Sequence, residues 1–190
     1  MSRSSRDPAP VRTRRQLVGD VLGLGDGDRR QLVRLLAIER VAVEVYGRAR
    51  RAEQLTSAEH RLIEHILGQE RAHGHALLRV LPRAEAAHAI APLDTDGLEA
   101  ALSSAGISVA LASLRSAHDW FTLLEELENA LQGYYYKALR RLSGAAPATL
   151  TARILASEAQ HSTLLFRLRH PDDISLAVSE ALVEGSAAQR

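Results

Sequence analysis

Apolar residues recur at three- and four-residue steps in four long stretches of the chain, the period of a helix with one buried face. The first stretch runs from about residue 28 to 51 and places Leu32, Leu35, Leu36, Ala42, Val43 and Tyr46 on one side. The second begins at Thr56, where Thr56-Ser57-Ala58-Glu59 reads as a capping box, and stops at Pro82. Its stripe is Leu62, Ile63, Ile66, Leu67, Leu77, Leu78 and Val80. The third starts near Ser116, with Ser116-Ala117-His118-Asp119 as a looser capping signal, and ends near Leu142. The fourth follows Pro147 and ends near Arg169, before Pro171. A short helix over residues 173–183 is expected to close the chain.

The links between these stretches set the topology. About five residues join the first pair (51–55) and the second pair (143–147), and links that short make antiparallel neighbours. Between the pairs lie residues 82–116. A helix of ~24 residues is about 36 Å long, a span that ~11 extended residues can cover. The long link can therefore cross the whole bundle and still hold small helices, expected around 96–104 and 109–114. The reading is an all-α, four-helix bundle of two antiparallel hairpins joined by a long crossover. Residues 1–27 are expected to be a tail, largely disordered or a short helix. The bundle takes 28–170, and 171–190 form a short helix and tail.

Composition narrows the chemistry. Lys plus Arg is 24 and Asp plus Glu 23, a net charge of +1 that argues against nucleic acid or a charged membrane surface as partner. No apolar run reaches the ~20 residues of a membrane span. Cysteine is absent, so disulfides and thiolate metal sites are excluded, and any metal must be held by His and carboxylate. Thr13-Arg14-Arg15-Gln16-Leu17-Val18 looks like a twin-arginine export signal, but Gly19-Asp20 follows where an apolar region of roughly 7–15 residues is required. The expected location is cytoplasmic.

Each helical stripe is interrupted by a carboxylate. Leu32, Leu35 and Leu36 lead to Glu39; Ile63, Ile66 and Leu67 lead to Glu70 and His73. Phe121 and Leu124 lead to Glu128; Ile154 and Leu155 lead to Glu158 and His161, then Leu164, Leu165 and Leu168. Glu39 and Glu70 are 31 residues apart, Glu128 and Glu158 30 apart. Each second Glu opens a Glu-x-x-His, and each first Glu has a tyrosine seven residues on, Tyr46 and Tyr135. The chain thus carries a two-fold internal repeat. Each Glu pair is equidistant from its hairpin turn, so all six side chains are expected at one depth in the bundle. Buried carboxylates must be protonated, paired or bound to metal. A pair of cations needs several anionic oxygens and bridging carboxylates, with one imidazole per ion. Iron, with manganese second, suits this oxygen-rich set better than zinc. Tyr46 and Tyr135 are candidates to hydrogen-bond the carboxylates. Glu125, one turn before Glu128, is an alternative ligand. A third copy, Glu85-Ala86-Ala87-His88, lies in the crossover without a partner Glu and is read as coincidence.

Residues 28–170 also resemble a family. The run from Glu39 to Tyr46 is similar to the rubrerythrin-type first helix, Glu-x-x-Ala-x-x-x-Tyr. The runs LLEELENALQGYYYKAL (123–139) and ILASEAQHSTLL (154–165) resemble bacterial ferritin-like domain proteins related to desiccation-associated proteins. Each half looks like the ferritin-like superfamily of di-iron carboxylate proteins. The resemblance implies Glu39, Glu70, His73, Glu128, Glu158 and His161 as ligands of two iron ions, or of manganese. It implies redox chemistry with O2 or peroxide, such as iron oxidation or peroxide removal. Two alternatives stay open: a di-iron hydroxylase of an organic substrate, and a non-catalytic stress or desiccation-related structural protein. The expected partners are metal ions and O2 or peroxide, not nucleic acid or membrane, with a homodimer left open.

Overall fold

A computed structural model describes residues 24–87, 89–170 and 172. The described residues are helical and contain no strand. The expected helix over 173–183, the first 23 residues and His88 lie outside them. Four long helices build the bundle: α1 (Asp26–Ala49), α2 (Ser57–Val80), α5 (Ala117–Leu139) and α6 (Ala145–Arg169). The crossover holds α3 (Arg83–Ala86), α4 (Thr95–Ser104) and a 3-10 turn (Leu111–Ser113). Helix α1 packs along α2 and α5 along α6. The two hairpins meet mainly through α1 and α5, while α2 and α6 touch much less. No helix among the described residues is long and apolar enough to cross a membrane.

Local chemistry sets the helix ends. Thr56 and Ser116 both form complete capping boxes, with Glu59 and Asp119 reaching back to the cap N–H groups. Helix α6 starts two residues before Pro147, not after it. Proline is tolerated there because first-turn N–H groups have no partner within the helix. Helix α4 ends at Gly106, whose φ of 87° only glycine adopts without strain. The Gly106 N–H bonds Ser103 O and the Ile107 N–H bonds Leu102 O, a Schellman ending that buries Ile107 beside Leu102. Leu98, Leu102, Ile107, Leu111 and Leu114 carry the crossover into the common core.

The expected stripes are largely inside, with one correction. Leu164 is 41% exposed. The inner face of α6 runs through Thr151, Ile154, Glu158, His161 and Leu165. That face passes through Leu165, and Leu164, about 100° round the helix, falls on its outer side.

One buried charge ties the ends of the hairpins together. Asp28, in the first turns of α1, accepts hydrogen bonds from the Ser143 N–H (2.9 Å), the Gly144 N–H (2.9 Å) and the Ser143 hydroxyl. It thus holds the α5–α6 turn through the N–H groups that lead into α6. A Cβ on Gly144 would sit 2.9 Å from the Asp28 carboxylate, which explains glycine there. Asp28→Ala is expected to lower unfolding stability by about 1 kcal/mol, through the loss of the hydrogen bonds from the Ser143 and Gly144 N–H groups. The Ser143 N–H first, against the opposing effect of burial, holds the Asp28 carboxyl below its ordinary 3.8. Its contribution is therefore full above that value and lost as pH falls through the lowered folded value. Thermal melts at pH 7 and near pH 3 check this: the gap between wild type and variant narrows in acid.

Candidate metal centre

The four interrupted stripes converge. Glu39 on α1, Glu70 and His73 on α2, Glu128 on α5, and Glu158 and His161 on α6 are all buried. Only His73, at 9%, retains measurable exposure; the others show 1% or less. The i, i+3 spacing puts each Glu and its His on one face of α2 or α6. The antiparallel hairpins then bring both faces to one level.

The six residues form two overlapping groups. Glu39, Glu70, His73 and Glu158 make one; Glu70, Glu128, Glu158 and His161 make the other. Within each group the donor atoms lie within 4.8 Å of one another, close enough to hold a metal ion. Glu70 and Glu158 belong to both, and each divides its oxygens. Glu158 Oε1 is 2.8 Å from His73 Nδ1 and its Oε2 is 3.3 Å from His161 Nδ1. Glu70 Oε1 is 2.8 Å from His161 Nδ1 and its Oε2 is 3.7 Å from His73 Nδ1. The two imidazole rings lie 5.7 Å apart, nearly stacked.

The inward atoms meet as ion-pair contacts, two of them at 2.8 Å, without hydrogen-bond geometry. Both oxygens of Glu70 and of Glu158, Oε2 of Glu39 and of Glu128, and Nδ1 of both histidines are buried without a hydrogen-bond partner. Burying that many polar atoms unsatisfied is very costly unless something else binds them. The outward atoms, by contrast, are held. Tyr46 donates to Glu128 Oε1 and Tyr135 donates to Glu39 Oε1. Each tyrosine therefore serves the carboxylate of the other hairpin. Burial first, then the charge of the partnered carboxylate, pushes both hydroxyls up, so they remain donors.

The electrostatics follow from packing four carboxylates together. Burial, reinforced by the charges of Glu70 and Glu158, pushes Glu39 and Glu128 well above the usual carboxylate range. Burial also opposes ionisation of Glu70, but His161 and His73 outweigh it and hold it at about 2. Burial depresses both imidazoles, yet the surrounding glutamates win. His73 is raised to about 9 and His161 to about 12. Without a cation, protons on these groups offset the carboxylate charge.

Other candidates lie elsewhere. Glu125 joins neither group and pairs with Arg169, which also reaches His118. Glu85 is exposed and faces Arg29 at 3.7 Å. Surface hollows of about 290, 460 and 80 Å³ are lined by none of the six side chains. Sequence reasoning missed Gln69, whose Oε1 accepts from His161 Nε2 at 2.6 Å and from the Ser157 hydroxyl at 3.1 Å. The available signal was its place in the repeat: Gln69 and Ser157 each precede the Glu of a Glu-x-x-His.

The tyrosine exchange makes a direct prediction. Tyr46→Phe and Tyr135→Phe each leave a buried carboxyl oxygen without its donor, at a cost of about 1–3 kcal/mol. Chemical denaturation of the metal-free variants is expected to show comparable losses, with the double variant losing more than either.

The model of the Ferritin-like domain family matches residues 27–170. No curated protein and no solved structure matches the chain. The matched span runs from the first turn of α1 to the end of α6 and includes every residue of the buried cluster; the chain belongs to the ferritin-like domain family.

Proposed function

We propose that this ferritin-like protein holds two iron ions in the buried cluster and carries out redox chemistry with O2 or peroxide, as iron oxidation or peroxide removal. The observation that carries the reading is the set of orphaned inward atoms shared between two donor groups. Glu39 and His73 would hold one ion, Glu128 and His161 the other, and Glu70 and Glu158 would bridge them. Two divalent ions bring +4 to four carboxylates, so charge closes without protons. One neutral nitrogen and several anionic oxygens per ion suit iron, and manganese after it, better than zinc. Bound iron supplies the electrons that reduce an oxidant.

The chain's own residues do the rest. Tyr46 and Tyr135 fix the outward oxygens of Glu128 and Glu39, turning the free oxygens toward the centre. Their raised hydroxyls keep their protons beside the carboxylates. The leucines and isoleucines above and below exclude water, which strengthens every charge interaction inside.

Aerobic loading with Fe2+ tests the reading. Two ions per chain are expected, followed by oxidation with O2 or peroxide read as ferric absorbance in the near ultraviolet. Glu70→Ala and Glu158→Ala are expected to abolish tight uptake. Absence of uptake in wild type, or uptake unchanged in both variants, contradicts the proposal. Uptake without reaction toward either oxidant contradicts its redox part.

The raised groups give the pH dependence. His73 and His161 are raised to about 9 and about 12, and Glu39 and Glu128 are raised above the usual carboxylate range, so cations compete with protons for these groups. Affinity is therefore expected to rise with pH. Calorimetry at pH 7, in buffers of different ionisation heat, is expected to show net release of protons as the ions bind.

A further inference from the structure

The repeat is not symmetric around its two imidazoles. His161 presents Nδ1 to the cluster, and its far nitrogen, Nε2, donates to Gln69 Oε1 at 2.6 Å. This contact crosses from α6 to α2, between helices that touch much less than α1 and α5 do. The amide cannot easily turn over. Its Oε1 also accepts from the Ser157 hydroxyl, and its Nε2 lies 2.9 Å from His65 Nε2. When Nδ1 binds a cation, Nε2 carries the ring proton, and a flipped amide would then set its NH2 group against that N–H, donor to donor.

The repeat places Ser157 where a second Gln69 would stand. Serine is shorter, and its hydroxyl turns to Gln69 instead of reaching His73. Among the described residues, His73 Nε2 has no hydrogen bond, and His73 is the most exposed of the six. One imidazole is thus locked in ring orientation, with Nε2 held by Gln69 and Nδ1 turned to the cluster. The other meets the glutamates through Nδ1 but has no such partner on Nε2, and it is the more exposed of the two.

We propose that Gln69 is a positioning residue that locks His161 and makes the cluster one tight and one labile position for a divalent transition metal. The inference rests on the metal-binding reading above and adds an order: the position of His161 fills first, that of His73 second and reversibly. Partners that orient a ligating histidine typically contribute 10–100-fold in metal affinity.

Two measurements on the full chain test it. The first needs no metal. Nitrogen-15 spectra of the metal-free protein report the imidazole N–H groups, and His161 Nε2–H is expected to resist exchange with water far longer than any N–H of His73. Gln69→Leu should remove that protection. Gln69→Glu, which keeps an acceptor oxygen, should retain it, as should Ser157→Ala. The second titrates Co2+ under anaerobic conditions. Wild type is expected to bind two ions in separate steps, and Gln69→Leu to weaken the first step roughly tenfold to a hundredfold while leaving the second. Equal steps in wild type, or a first step untouched in Gln69→Leu, overturn the inference and leave the metal site standing. Equal exchange at both histidines overturns it as well. A wild type that keeps His161 protected yet binds no Co2+ overturns the metal reading and this ordering with it.

Discussion

Four carboxylates meeting in the dry interior of one helical bundle repel each other, and that repulsion organises the rest of the structure. Glu39, Glu70, Glu128 and Glu158 are almost wholly buried, at a depth where ionised groups are expensive unless offset by positive charge. Protons on neighbouring groups can supply that charge, and so can cations. The difference lies in geometry. Protons would be satisfied by well-formed hydrogen bonds, whereas the inward oxygens and nitrogens here meet as ion-pair contacts without hydrogen-bond geometry and face a shared centre. The hydrophobic layers above and below make the cluster demanding, because they withhold the water that would otherwise solvate it.

Around that centre the fold provides a frame that crosses between hairpins. Tyr46 and Tyr135 exchange partners between the two halves, and Asp28 fastens the start of α1 to the α5–α6 turn. These links matter because the two hairpins carry half the donors each. A hairpin sliding by one turn would shift its donors by about 5.4 Å and separate the groups. The Schellman ending at Gly106 and the buried leucines of the crossover serve the same end by packing the connection against α1.

Much of this was legible in the sequence, for a physical reason. A charged residue in an apolar stripe is costly, so its repetition at matched distances from two turns marks a site without any knowledge of packing. Helix caps at Thr56 and Ser116 were legible because they are local. What escaped was of another kind. The partner of His161 is Gln69, 92 residues away, and nothing local distinguishes a seam glutamine from a solvated one. The exchange of tyrosines between hairpins depends on how the halves dock, as does the grip of Asp28 on a turn more than a hundred residues away. Leu164 was misplaced because two adjacent leucines fit a helical stripe equally well, and only the packing of α6 decides between them. Pro147 reads as a boundary in the sequence, yet it sits in the first turn of α6, where proline is tolerated.

Diffraction from crystals of the iron-loaded protein, collected on either side of the iron absorption edge, tests the central claim most directly. The account predicts two anomalous peaks inside the bundle, one against Glu39 and His73 and one against Glu128 and His161, with Glu70 and Glu158 touching both. A single peak, peaks confined to the surface, or glutamates that turn away from the metal would contradict it.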